Sequence, residues 1–224
     1  GTDIVFSDET LLRGKKLVNK IWNVSKFIEM HLADYEDKEF SNYEYIDKWI
    51  LGKFQEMESG FLKYLDEYEV GLALNHLEKF FWNFCDNYIE IVKHRLYRPE
   101  EFGIEPRYSG QKTVYTILYK LLQDFSIFFP FITEEIYQEL YKDNKSIHLT
   151  EIKPLEFNFE SEIKKYEREM YETFKIFDNA EFPKPELLNS IKYIENWKPL
   201  NEAYSSVKSI AVDNAVAERT QNAV

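Results

Sequence analysis

The chain has 224 residues, enough for a sizeable buried core, and its 40 acidic against 28 basic side chains leave a net charge of −12. That balance excludes a surface that is basic all round, so any nucleic-acid contact has to be local, within a Debye length of about 8–10 Å. A single cysteine, Cys85, excludes an internal disulfide and a cysteine-based zinc cluster, and the lack of a run of about 18 apolar residues excludes a helical membrane span.

Seven glycines and seven prolines beside 18 Phe and 16 Tyr favour long helices over a turn-rich β fold. Gly1-Thr2-Asp3 has neither the charged nor the apolar region of a signal peptide, and a start without Met reads as a chain excised from something longer. The first helix is predicted from Ser7, an N-cap with Asp8 and Glu9 in the first turn, to about His31. Leu11, Leu17, Val18, Ile21, Val24, Ile28 and Leu32 form its apolar stripe. An acidic loop over 34–44 follows. A second helix spans about Tyr45 to Glu69 and a third about Val70 to Tyr97. The third carries a seam of Val70, Leu74, Leu77, Phe81, Phe84, Tyr88, Ile91 and Arg95.

Pro99, Gly103 and Pro106 mark residues 99–109 as a loop. A fourth helix spans about Gln111 to Phe128, where Pro130 ends or kinks it. A fifth runs from Thr133, as N-cap, to Tyr141, with Glu134 and Glu135 facing its dipole. Ser146 to Leu149 reads as extended. Beyond Pro154 the pattern changes to a charged helix over 160–178, a short helix over 186–197 and a strand over 207–212. The architecture expected is an all-α antiparallel helix bundle over 1–155 with a small C-terminal extension over 156–224, either helical or α+β.

Several stretches then carry a family resemblance. Gly14-Lys15-Lys16-Leu17-Val18-Asn19-Lys20-Ile21-Trp22-Asn23-Val24-Ser25-Lys26-Phe27 resembles the first anticodon-domain helix of valyl-tRNA synthetases. Asp47-Lys48-Trp49-Ile50-Leu51 is similar to the opening of that domain's second helix, with Lys where Arg is usual. Phe81-Trp82-Asn83-Phe84-Cys85-Asp86-Asn87-Tyr88-Ile89-Glu90 resembles its third-helix signature, continued by Val92-Lys93-His94-Arg95-Leu96-Tyr97. Pro130-Phe131-Ile132-Thr133-Glu134-Glu135-Ile136-Tyr137 and then His148-Leu149-Thr150-Glu151 follow in the same order. The likeness covers about residues 1–155, while 156–224 match weakly.

The resemblance implies an anticodon-binding bundle of the class I synthetase type. Its partners would be valine tRNA and an upstream catalytic domain of the same polypeptide. The "H-I-G-H" and "K-M-S-K-S" signatures of the ATP site are absent from this stretch, so ATP and Mg are expected to serve the full-length enzyme and no cofactor this segment. A monomer in the cytoplasm, with no membrane partner, is expected. Two other readings stay open: the isoleucine enzyme's anticodon domain, and a non-enzymatic helical scaffold that binds protein through its acidic face.

The residues themselves locate the expected RNA contacts. Arg13, Lys16 and Lys20 recur at three- and four-residue steps on one face, with Lys26 near them, as phosphate binding needs. The alternative is a solvated helix face. Residues 28–70 hold 12 acidic and 4 basic side chains, so the negative charge gathers away from the first helix. Asn19 and Asn23, one turn apart, either read a base edge or pair across the bundle. Trp22 and Phe27 either stack on unpaired bases or belong to the core. Arg95, Arg98 and Arg107 complete the RNA candidates, and Lys93 and His94 balance a helix C-terminus. Cys85 on the apolar seam reads as a small buried hydrophobe.

Overall fold

The computed structural model describes residues 8–141 and 145–159. Every regular element among them is helical: α1 Asp8–His31, α2 Tyr45–Asp66, α3 Val70–Asn83, a π turn Phe84–Tyr88, α4 Ile89–Tyr97, α5 Pro99–Phe102, α6 Ile104–Ser126, α7 Pro130–Tyr141 and a 3₁₀ turn Ile147–Leu149. The fold class is an all-α helical bundle. Ser7 and the elements expected over 160–178, 186–197 and 207–212 lie outside the described residues.

The described residues fall into two compact units. The first comprises 8–39, 57–81, 111–141 and 145–155; the second comprises 40–56, 82–110 and 156–159.

In the first unit, α1 buries Leu17, Ile21, Val24 and Ile28, the four-three-four spacing that keeps a stripe on one side of a 3.6-residue helix. Leu11, at the start of that stripe, is exposed instead. Met57, Phe61, Leu77, Phe80 and Phe81 are buried in this unit, with Val114, Ile117, Leu118, Leu121, Leu122 and Phe125 from α6. Phe81 meets Phe125 edge-on with ring centroids 5.3 Å apart, a favoured aromatic geometry. The last carbonyls of α1 lack intrahelical donors, and Gln111 Nε2 supplies one to His31 O at 2.7 Å. α2 ends at Asp66 rather than Glu69 because Tyr68 takes a left-handed conformation with φ 60°.

An extended segment is pinned at successive residues in the same unit. Gln123 Nε2 donates to Thr150 Oγ1 at 2.9 Å and to Glu151 O at 3.3 Å. Lys120 Nζ donates to Lys153 O, and Leu155 N–H donates to Glu58 Oε2 at 2.5 Å. Lys120 and Glu58 form a buried ion pair at 2.8 Å. Asp124, one turn along α6 from Lys120, is fully buried, and neither of its carboxylate oxygens is hydrogen-bonded among the described residues. Burial, and then the charge of Glu58, push its carboxyl well above the usual range, against the pull of Lys120.

Several expectations for this unit are decided by the structure. Of the two alternatives for Pro130, a helix that ends before it holds and a kink does not: α6 stops at Ser126, and Pro130 opens α7, where a missing N–H costs nothing. Thr133 is therefore inside α7, its hydroxyl donating back to Phe129 O at 2.8 Å, and is no cap. Glu134 lies beyond the first turn and holds the 3₁₀ turn instead, accepting from Ile147 N–H and Ser146 Oγ, both at 2.9 Å. The segment expected to be extended, Ser146 to Leu149, is that turn, with Ser146 Oγ accepting His148 N–H at 3.2 Å.

In the second unit, Ile46, Ile50, Leu51, Phe54, Phe84, Tyr88, Ile91, Val92 and Leu96 are buried. Phe84 and Cys85 occupy the interior face, as the seam predicts. The π turn loosens the helix ladder between α3 and α4, and Asn87 Nδ2 bridges it on the exposed side by donating to Asn83 Oδ1 at 2.6 Å. The loop expected over 99–109 is helical. Pro99 opens α5, Gly103 at φ 100° separates α5 from α6, and Pro106 falls in the first turn of α6, where no N–H is needed. A β-carbon on Gly110 would come within 2.7 Å of Val92 Cγ2, so glycine permits the close approach of α6 to α4.

Candidate functional site

The outward face of α1 is the candidate interface. Because Leu17, Ile21, Val24 and Ile28 turn inward, Arg13, Lys16, Asn19 and Asn23 are left exposed, while Lys20 and Lys26 are half-buried. Trp22 is 37% exposed, so the core reading of this residue gives way and part of its indole can be reached from solvent. Phe27 is half-buried, its ring 4.6 Å from that of His31.

Several cations of the set already have acidic partners. Arg13 forks onto Glu78 of α3, with Nη2 to Oε2 at 2.7 Å and Nε to Oε1 at 3.2 Å. Lys26 Nζ meets Glu29 Oε2 at 3.1 Å and Glu139 Oε2 of α7 at 2.5 Å. The same ammonium lies 4.8 Å from the centre of the Trp22 ring, within cation–π range. The hydrogen bond that Lys26 donates to Glu139 is the main reason its ammonium titrates above its ordinary value; burial opposes it, and Glu29 adds to it. Glu78 and Glu139 were missed by sequence reasoning. They lie 65 and 113 positions from their cations, and no periodicity links such positions.

Arg95 does not belong to an RNA surface. Its side chain is fully buried in the second unit, bound to both oxygens of Asp47 at 3.0 and 2.7 Å. Asp47 also accepts from Tyr88 Oη at 2.6 Å and from Ser109 Oγ, which itself accepts Glu44 N–H at 2.9 Å. An arginine on a helix's apolar seam can be an interior charge when the fold brings a carboxylate to meet it. Arg98, also in the second unit, is exposed and pairs with Glu101 at 3.5 Å. Arg107 donates from Nε to Leu96 O at 3.0 Å, closing the C-terminus of α4.

No described helix is long and apolar enough to cross a membrane. The described residues contain no group of three or more His, Cys, Asp or Glu side chains arranged to hold a metal ion.

Comparison with known proteins matches this architecture. The chain is 39% identical over 160 residues to a valine–tRNA ligase of Rickettsia canadensis, covering 66% of this chain and 20% of that protein. It is 43% identical over 151 residues to a valine–tRNA ligase of Ehrlichia ruminantium, covering 66% and 18%. A Rickettsia felis valine–tRNA ligase is 40% identical over 159 residues, covering 66% and 18%. The chain thus spans about one-fifth of the length of these relatives. Neither the isoleucine reading nor the scaffold reading is favoured by them. The family model described as the anticodon-binding domain of tRNA ligase matches residues 47–211, beginning two residues into α2. With most of its length so matched, the chain belongs to the family of anticodon-binding domains of tRNA ligases.

Proposed function

We propose that this chain is the tRNA-binding segment of a valine–tRNA ligase and that the outward face of α1 meets the anticodon loop of valine tRNA. The observation that carries this reading is the two-sidedness of α1: four buried apolar residues on one side, and Lys16, Asn19, Trp22 and Asn23 presented on the other. Lys16 and Lys20 suit phosphate contacts, which fix register without reading sequence. Asn19 and Asn23 offer amide donors and acceptors for the edges of unstacked bases, and Trp22 offers a stacking surface. Arg13, already forked onto Glu78, would have to share its guanidinium with a phosphate.

On this reading, valine activation and transfer belong to a catalytic body in the same polypeptide, in the cytoplasm, and ATP and Mg act there. The segment's contribution is placement of the tRNA, which turns an encounter of two large molecules into a positioned one. We take the working unit to be a monomer.

Titration of labelled valine tRNA against the 224-residue chain, beside an anticodon-swapped version, tests the reading. Preference for the native anticodon is the expected result. If about four phosphates are neutralised on the single-stranded loop, the salt slope is near −3, and raising salt from about 50 to about 200 mM weakens binding on the order of 60-fold. Equal affinity for both tRNAs at every salt concentration would rule out anticodon reading.

A further inference from the structure

We propose that Glu139 on α7 is a positioning residue for base recognition on α1: it holds Lys26 against Trp22 and so fixes the indole for stacking. The proposal rests on the reading of α1 as the anticodon-facing helix. Three observations carry it. Lys26 Nζ has two carboxylate partners, Glu29 at 3.1 Å one turn along α1 and Glu139 at 2.5 Å on another helix. The same ammonium sits 4.8 Å from the Trp22 ring centre. Trp22 is three residues from exposed Asn19 on α1 and adjacent in sequence to exposed Asn23, and is itself 37% exposed.

These contacts change what Lys26 can do. Its position beside Lys16 and Lys20 suggests a phosphate contact, but a phosphate would have to displace a carboxylate supplied by each of two helices. Glu29 alone could not define the ammonium's place, because an i,i+3 pair on a helix surface is weak and mobile. Glu139 anchors it from α7, and the cation then braces one part of the indole while the exposed part remains for a base. A ring held in place before binding loses less freedom when a base stacks on it, which strengthens binding without any new contact to the RNA.

The sign of the effect separates this role from simple electrostatics. Glu139 is a negative charge close to the proposed RNA surface, so on charge alone its removal should strengthen RNA binding. Positioning predicts the reverse. With a labelled anticodon stem-loop of valine tRNA, Glu139→Ala is expected to weaken binding about three- to tenfold, with the salt slope unchanged and the thermal midpoint lowered by no more than the loss of one partly exposed ion pair. Glu139→Gln makes the same charge change but keeps an oxygen acceptor for Lys26, and it should recover much of the loss. In a Trp22→Ala background, Glu139→Ala should cost nothing further. Tighter binding with a steeper salt slope in Glu139→Ala would overturn the proposal and return Lys26 to the phosphate contacts. An equal loss with and without Trp22 would also overturn it. If the unsubstituted chain does not bind the stem-loop, the functional reading fails, and this inference with it. If it binds but Trp22→Ala leaves affinity unchanged, only the positioning role is lost.

Discussion

Arg95 and Asp47, 48 positions apart, form a two-bonded ion pair in which neither side chain reaches solvent. Tyr88 and Ser109 donate to the same carboxylate, so four donated hydrogen bonds converge on two oxygens. A buried pair of this kind adds little over a well-packed apolar pair, but losing one partner strands the other charge. Arg95→Ala and Asp47→Ala are each expected to cost about 3–5 kcal/mol in urea melting, and the double variant clearly less than their sum. Additive losses would mean that the two charges do not depend on each other.

Asp124 offers the opposite case, a buried carboxyl with no hydrogen-bond donor among the described residues. Its native proton affinity is raised by burial first and by Glu58 second, above the ordinary unfolded value of about 3.9. The folded state therefore holds the proton more tightly than the unfolded state. This favours folding most below about pH 4 and fades as pH rises through the native value. Asp124→Asn should then stabilise the chain by on the order of 1 kcal/mol at pH 8 and by nearly nothing at pH 4. A thermal midpoint that falls at pH 8 on this substitution would show that the carboxylate is paired in solution.

Tyr68 holds a left-handed backbone with its side chain 90% exposed, so replacement by glycine loses almost no packing. Relief of about 1–2 kcal/mol of strain is offset by about 0.5–1 kcal/mol of added backbone entropy in the unfolded chain. A net gain of about 0.5 kcal/mol is expected for Tyr68→Gly by denaturant melting. Destabilisation beyond about 1 kcal/mol would show that the tyrosine side chain is held in solution.

Lys16 and Arg13 should part company in RNA binding although both lie on the exposed side of α1. Lys16→Ala is expected to flatten the salt slope by about 0.7 of a unit, the share of one phosphate on a single strand. Arg13→Ala should flatten it less, because its guanidinium is already forked onto Glu78. It should also cost about 0.2–1 kcal/mol in stability, as one pair that is 65% exposed on its arginine side. Equal flattening would mean that RNA takes Arg13 from Glu78.

The all-α fold, the burial of Leu17, Ile21, Val24 and Ile28, and the inward Phe84 were legible in the sequence. They depend on spacing within one helix, and a 3.6-residue repeat projects directly onto a face. Breakers were legible only in part. Pro99, Pro106 and Pro130 were rightly seen as constraints, but whether a proline ends a helix or begins one depends on which backbone N–H groups already lack an acceptor. The charged residues were the least legible. Arg95 and Arg13 look alike as cations on helices, yet one is an interior charge and the other is exposed, because Asp47 and Glu78 reach them from other helices. The sequence by itself determined which residues are apolar at helical intervals, and so the helices and their inner faces. Only the tertiary structure decided which carboxylate each cation meets, because that depends on where distant helices come together, and burial then makes the pairing compulsory.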